Sequence, residues 1–245
     1  MNSPDSPAPS PLRQSRNILL SGLLPHYCVL CRGRLRLQPR DSIPLCDDCR
    51  KRIHPLEGSR CKRCGRPLYS EKELCFPCRD KKAACEEILP LYLYKDDLAS
   101  LLKAYKMAKR PSLAGFFIPV LAEEIRCRYP DRPIVPVPPR AEKLRRREWD
   151  QVEEIARGLE RMDFQVLRIL RRKPSREQKS LDRKNRSLNA REAYALKDER
   201  AGQVTGLSLL LLDDVCTTGS TIDACAEILL AAGALRVAAI VIAAD

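Results

Sequence analysis

The sequence predicts an α/β protein, a parallel-sheet domain preceded by a small four-cysteine zinc-ribbon domain, and three observations carry that prediction. After residue 86, short apolar runs alternate with amphipathic stretches, the pattern of strand–helix–strand units whose strands run parallel. Before that point, eight of the 12 cysteines fall into four C-x-x-C pairs. Near the carboxyl end an apolar strand runs into two acids, a cluster of hydroxyls around a glycine, and a helix.

The length of 245 residues suits one core of about 150 residues plus a smaller unit. A composition of 44% hydrophobic and 31% charged residues excludes a chain disordered throughout. We divide it into a loose tail and short apolar segment (1–24), a double zinc ribbon (25–85) and the α/β domain (86–245). No apolar run reaches about 18 residues, and Ile18–Leu24 is too short for a spanning helix or a signal-peptide core, so a cytoplasmic protein without a transmembrane segment is expected.

The cysteine pairs are Cys28 and Cys31, Cys46 and Cys49, Cys61 and Cys64, and Cys75 and Cys78. A C-x-x-C presents two thiolates to one tetrahedral ion from a tight turn, and a second pair returning after 14 or 10 residues completes a four-thiolate site. Two zinc ions are therefore expected, with disulfides disfavoured in a reducing compartment. Sequential pairing is favoured over an interleaved cross-brace, and both stay open at this point. Gly33 and Gly65 are expected to supply the permissive backbone of the knuckles. A site closed by four thiolates has no place for a reacting water, so the ribbons are structural, and neither His26 nor His54 is needed as a ligand. Cys85, Cys127 and Cys225 read as small buried residues.

Within the α/β region, Leu89–Tyr94 reads as a strand and Leu98–Tyr105 and Leu113–Arg126 as helices. Ile134–Val137 is a short strand stopped by Pro138 and Pro139, and Lys143–Arg161 a polar helix with apolar positions Trp149, Val152, Ile155 and Leu159. Residues 171–191 are basic and without period. The last unit is the clearest: Leu207–Leu212 suits a strand buried on both faces, followed by Asp213, Asp214, Val215, Cys216, Thr217, Thr218, Gly219, Ser220 and Thr221. Ligands in open parallel sheets bind beyond the carboxyl ends of the strands, and the hydroxyls and amides around Gly219 can surround a phosphate.

That segment, Leu209 to Thr221, resembles the ribose-phosphate signature of type I phosphoribosyltransferases, which bind 5-phosphoribosyl 1-diphosphate (PRPP). With the ribbons, the stretch ending at Lys106, the Pro-Val-Pro strand, Arg147-Glu-Trp-Asp-Gln151, Gln178, Arg186, Asn189 and Ala193-Tyr194, residues 24–245 resemble the ComF proteins of natural competence. The resemblance implies a type I phosphoribosyltransferase-like fold. It implies Asp213 and Asp214 as the catalytic carboxylates, and Thr217, Thr218, Gly219, Ser220, Thr221 and Arg147 as the PRPP-binding set, with magnesium on the diphosphate. Glu148, Trp149 and Asp150 replace the Gly, Phe and Asn usual there, and the two acids would oppose an anion.

The net charge of +13 is uneven: +9 over 1–85, +1 over 86–139, +8 over 140–191 and −5 over 192–245. Two basic blocks suit a polyanion. The function implied by the resemblance is PRPP binding with a part in DNA uptake, handling single-stranded DNA and meeting other competence proteins. The alternatives are an active phosphoribosyltransferase, a glycosyltransferase with an unnamed acceptor, and a PRPP-sensing nucleic-acid-binding regulator.

Overall fold

The computed structural model describes residues 26–35, 43–139, 149–173, 193–197 and 202–245. The chain divides into two compact units, Met1–Ile53 and His54–Asp245.

In the first unit, Tyr27 bridges Arg34 across an antiparallel turn, and the Cys28 amide donates to the Gly33 carbonyl at 2.8 Å. Helix α1, Asp47–Lys51, follows Cys46 and buries Cys49. The second unit repeats this design: Arg60 bridges Pro67, Cys61 N–H donates to Arg66 O at 2.9 Å, and α2, Phe76–Arg79, follows Cys75 and buries Cys78.

The knuckles differ at the residue after the second cysteine, which is left-handed in both. Gly65 takes that place at φ +66°, as expected, but in the first ribbon Arg32 takes it at φ +63°. Gly33 serves another purpose, since a Cβ there would sit 3.2 Å from Cys31 Sγ, close to where its own N–H points at the sulfur. At Gly65 a Cβ would collide with the Pro90 ring and the Ile88 carbonyl. Gly65→Ala is therefore expected to cost about 2–3 kcal/mol, from strain and overpacking together, read as a lowered thermal midpoint.

The second unit also holds the sheet. Its strands are β1 (Ile88–Leu93), β2 (Ile134–Pro136), β3 (Leu170–Arg172), β4 (Tyr194–Leu196), β5 (Ser208–Cys216) and β6 (Arg236–Ala244). The order β1-β6-β5-β2 is parallel throughout, Val166 adds a parallel bridge to Ile134, and β3 and β4 form a separate antiparallel pair. The parallel α/β class read from the sequence is thus the observed one. The unit also holds helices α3 (Asp96–Met107), α4 (Ala114–Arg128), α5 (Gln151–Glu160) and α6 (Ser220–Ala231).

The central strands are apolar because both faces are covered. Leu209, Leu211, Val237, Ala239 and Val241 pack with Ile222, Cys225 and Leu229 of α6. Their alternates Leu210, Leu212, Ala238, Ile240 and Ile242 are fully buried on the opposite face, and α4 and α5 contact β6 and β5. Gly158 of α5 lets α4 approach so closely that a Cβ would collide with Ile118. On α3 the buried Leu98, Leu101, Leu102 and Tyr105 trace one helical stripe.

Two boundaries depart from expectation for physical reasons. Strand β5 runs four residues past Leu212, pairing Asp213 with Val241 and Cys216 with Ala244, because backbone pairing with the apolar β6 continues whatever the side chains. Helix α5 starts at Gln151, not Lys143, since Asp150 caps it by accepting from Val152 N–H at 3.3 Å. Trp149 therefore lies ahead of the helix, not on its apolar side, and residues 143–148 are outside those described. Cys85 and Cys225 are buried as expected; Cys127, on the outer side of α4, is exposed.

Candidate functional site

Asp213 and Asp214 close the carboxyl half of β5 beside the end of β2, where a cavity of about 300 Å³ opens. Asp214 is buried, and its Oδ2 accepts from Lys106 Nζ at 2.9 Å and from Gln151 Nε2 at 2.6 Å. Lys106 comes from the last turn of α3 and Gln151 from the first turn of α5. Tyr105, one residue before the lysine, donates its hydroxyl to the Gln151 carbonyl at 2.8 Å, and Trp149 sets its ring edge-on to Tyr105 at 4.8 Å. A packed aromatic pair thus fixes the groups that hold Asp214.

Burial, with the Asp214 charge beside it, pushes the Asp213 carboxyl up to about 8. A raised acid stabilises the fold below its unfolded value and loses that contribution as pH rises to 8. Asp213→Asn, which keeps an oxygen for the Asp214 N–H, should therefore melt progressively further above the wild type from pH 4 to pH 8. Thermal melts across that range check it, and a gap that does not grow with pH contradicts it.

The rest of the cavity wall is mixed in charge. Arg172 faces it from β3, its guanidinium 5.1 Å from the Tyr194 ring centre and 3.2 Å from the Tyr194 hydroxyl, while Thr221 reaches it from α6. Asp150 lines it too, with its carboxylate already engaged at the start of α5, so one of the two acids read as opposing an anion is the helix cap.

The hydroxyl-rich loop turns through Gly219 at φ +76°, the residue before α6. Thr218 Oγ1 lies 3.0 Å from Ser220 Oγ and 3.4 Å from Ser220 N. Thr217 and Thr218 are exposed at the outer edge of this turn. Of the expected phosphate-binding set, Thr221 lines the acidic cavity, whereas Thr217, Thr218 and Gly219 line a second one of about 450 Å³ bordered by the ribbon residues Arg63, Arg66 and Lys81. Arg147, with Arg186, Gln178 and Asn189, lies outside the described residues.

Lys106 and Arg172 were not among the expected site residues. Lys106 ends a stretch that resembles the ComF pattern, and Arg172 lies in a basic segment with no period. Nothing local in the sequence marks either as reaching Asp214 or its cavity.

The cysteines converge as two sequentially paired sets, Cys28, Cys31, Cys46 and Cys49, and Cys61, Cys64, Cys75 and Cys78, with all sulfurs of a set within 4.8 Å of one another. The separations of Cys31 from Cys46, 3.7 Å, and of Cys64 from Cys75, 3.6 Å, approach the roughly 3.8 Å edge of a tetrahedron built on zinc–sulfur bonds of about 2.3 Å. These residues fit two zinc ions. Burial raises Cys28 and Cys61, but neighbouring amides outweigh it and bring each thiol down to about 6. Cys49 is pushed up to about 12 by burial and by hydrogen bonding with its three cysteine neighbours.

Fold and site together define a double zinc ribbon joined to a parallel α/β domain with an acidic, cation-braced cavity at the carboxyl ends of its strands. Residues 19–79 match the double zinc ribbon domain. The chain is similar to the competence protein ComFC of Bacillus subtilis strain 168, 25% identical over 225 residues that cover 84% of this chain and 89% of that one. It is also similar to the DNA utilization protein YhgH of Salmonella typhimurium, 28% identical, covering 87% and 95%. The ComFC of Streptococcus pneumoniae is 26% identical, covering 84% and 90%. The resemblance to ComF proteins read from the sequence is borne out over most of the chain. A phosphoribosylpyrophosphate synthetase from Mycobacterium smegmatis aligns with a TM-score of 0.31 at 19% identity, over 64% of this chain and 53% of that one. Among the described residues no helix is long and apolar enough to cross a membrane.

Proposed function

We propose that this protein binds PRPP at the carboxyl edge of its sheet and takes part in DNA uptake in the cytoplasm, handling single-stranded DNA. The observation that carries the first half is the meeting of Asp213, Asp214, Lys106 and Thr221 at one cavity beyond the sheet's carboxyl edge, with the turn through left-handed Gly219 leading into it. In this reading the loop takes the 5-phosphate, the carboxylates take the ribose hydroxyls, and Lys106 and Arg172 meet the diphosphate. Magnesium on the diphosphate would neutralise part of its charge, and the ion's charge would favour the ionised form of Asp213, which would hold one of the ion's waters.

The second half is supported by the names of the relatives and by the ribbon surface. Tyr69 is 97% exposed and Phe76 77% exposed, with Arg79 lying 5.9 Å over the Phe76 ring. Exposed rings beside cations are what unpaired bases stack on. Zinc-loaded protein should bind single-stranded oligonucleotides in preference to duplex, with salt-dependent affinity, and the Tyr69→Ala, Phe76→Ala double variant should lose about tenfold. Equal binding to duplex would move the reading towards a regulator. Trp149, the sole tryptophan, packs against the residues that hold Asp214, so its fluorescence should report PRPP binding.

The paired acids also favour a second reading, phosphoribosyl transfer. There diphosphate leaves ribose carbon 1 while the protein positions the ring and no side chain acts as nucleophile. Release of diphosphate from PRPP with added nucleobases tests it, and none across all bases counts against it.

A further inference from the structure

We propose that the second zinc ribbon is a positioning element for the phosphate loop: Arg66 and Lys81 hold the carbonyls of Thr217 and Thr218 towards the ribbon, and so set the direction of the amides of Thr218 and Gly219, the second of which is turned to Cys216 Sγ. The inference rests on the reading of that loop as a phosphate site. Its ground is geometric. Arg66 donates from Nη2 to the Thr217 carbonyl, and Lys81 Nζ donates to the Thr218 carbonyl at 3.1 Å.

Those two carbonyls belong to the peptide units whose N–H groups are the amides of Thr218 and Gly219. A trans peptide is planar, so its C=O and N–H point in opposite directions. Fixing a carbonyl towards the ribbon fixes the partner amide away from it. The constraint matters here because Gly219, at φ +76° and without a Cβ, leaves the preceding peptide free to turn over. A turned peptide would set the Thr218 carbonyl oxygen, and not the Gly219 N–H, against the Cys216 sulfur, and would reshape the loop.

Lys81 acts on charge as well. Its Nζ lies 3.0 Å from Asp223 Oδ2 in the first turn of α6, where a free carboxylate would repel a phosphate at the same helix end. The other Asp223 oxygen accepts from Cys85 N–H at 3.4 Å.

Zinc enters through the positions of these cations. Arg66 lies two residues past Cys64, and its carbonyl accepts from the Cys61 N–H at 2.9 Å. Arg63, inside the same knuckle, donates to the carbonyls of Cys78 and Lys81, and its own carbonyl accepts from Ile88 N–H at 2.7 Å at the start of β1. Both halves of the four-cysteine site are thereby tied to the two side chains that hold the loop.

The test compares Arg66→Met and Lys81→Met with the donor-retaining Arg66→Lys and Lys81→Arg, all in the full-length, zinc-loaded chain. Two readouts are taken: PRPP affinity with magnesium by calorimetry, and the ¹⁵N–¹H resonances of Thr218 and Gly219 without ligand. Each methionine variant should weaken PRPP about tenfold, the size expected for losing one charge-assisted hydrogen bond, and move both amide resonances. The Lys and Arg exchanges should stay within about twofold, with two zinc ions per chain throughout. Wild-type affinity in both methionine variants, unmoved amide resonances, or an affinity loss matched by zinc loss would each overturn the proposal. A wild-type chain that binds no PRPP sinks the proposed function instead, and the amide resonances still decide whether the ribbon holds the loop.

Discussion

Asp214→Asn should reduce PRPP affinity by about 100-fold while leaving the protein folded, the largest effect expected of any single change at the sheet edge. The carboxylate is buried on β5, where it accepts from Lys106 at 2.9 Å and Gln151 at 2.6 Å, and its second oxygen accepts from Val215 N–H at 2.6 Å. An asparagine keeps the shape but removes the charge, so Lys106 loses its anion and the amide can present a donor where ribose hydroxyls need an acceptor. Stability should fall by only about 1–2 kcal/mol, because Lys106 keeps partial access to water. Calorimetry gives the affinity and thermal melting the stability. An affinity within about fivefold of wild type would remove Asp214 from the ligand's contacts.

Loss of the second zinc site should do the greatest structural damage. Cys64→Ser is expected to bring zinc content from two ions to one and to lower the melting midpoint of the His54–Asp245 unit by more than about 10 °C. The reason is that this ribbon is built into the unit. Leu56 N–H donates to Leu91 O at 2.7 Å, Arg60 Nη1 to Pro90 O at 3.1 Å and Ile88 N–H to Arg63 O at 2.7 Å, so the segment before β1 is bonded along the strand's own backbone. Cys46→Ser, in the Met1–Ile53 unit, should cost one zinc ion but leave the main transition within about 3 °C. Equal losses from the two substitutions would contradict this division of labour.

What the sequence made legible was whatever is local. Four leucines before two acids mark a strand buried on both faces, and C-x-x-C spacing marks the zinc sites, because in each case neighbours in sequence do the work together. The strand's true end at Cys216 was hidden, since pairing with β6, not side-chain polarity, sets it. Asp150 illustrates how one residue type supports two meanings: an acid near an expected anion, or the cap that starts α5. Arg32, left-handed without being glycine, breaks a rule that holds at Gly65. Lys106 on Asp214 and Arg66 on Thr217 join residues more than a hundred positions apart, and no periodicity can show such a meeting.

The central claim is that the acids of β5 and the loop before α6 form a PRPP site. Calorimetric titration of the full-length, two-zinc protein with PRPP and magnesium tests it most directly, run beside Asp214→Asn. The account predicts saturable binding of one PRPP per chain, greatly weakened in the variant; no saturable heat from the wild type, or equal binding by both proteins, would contradict it.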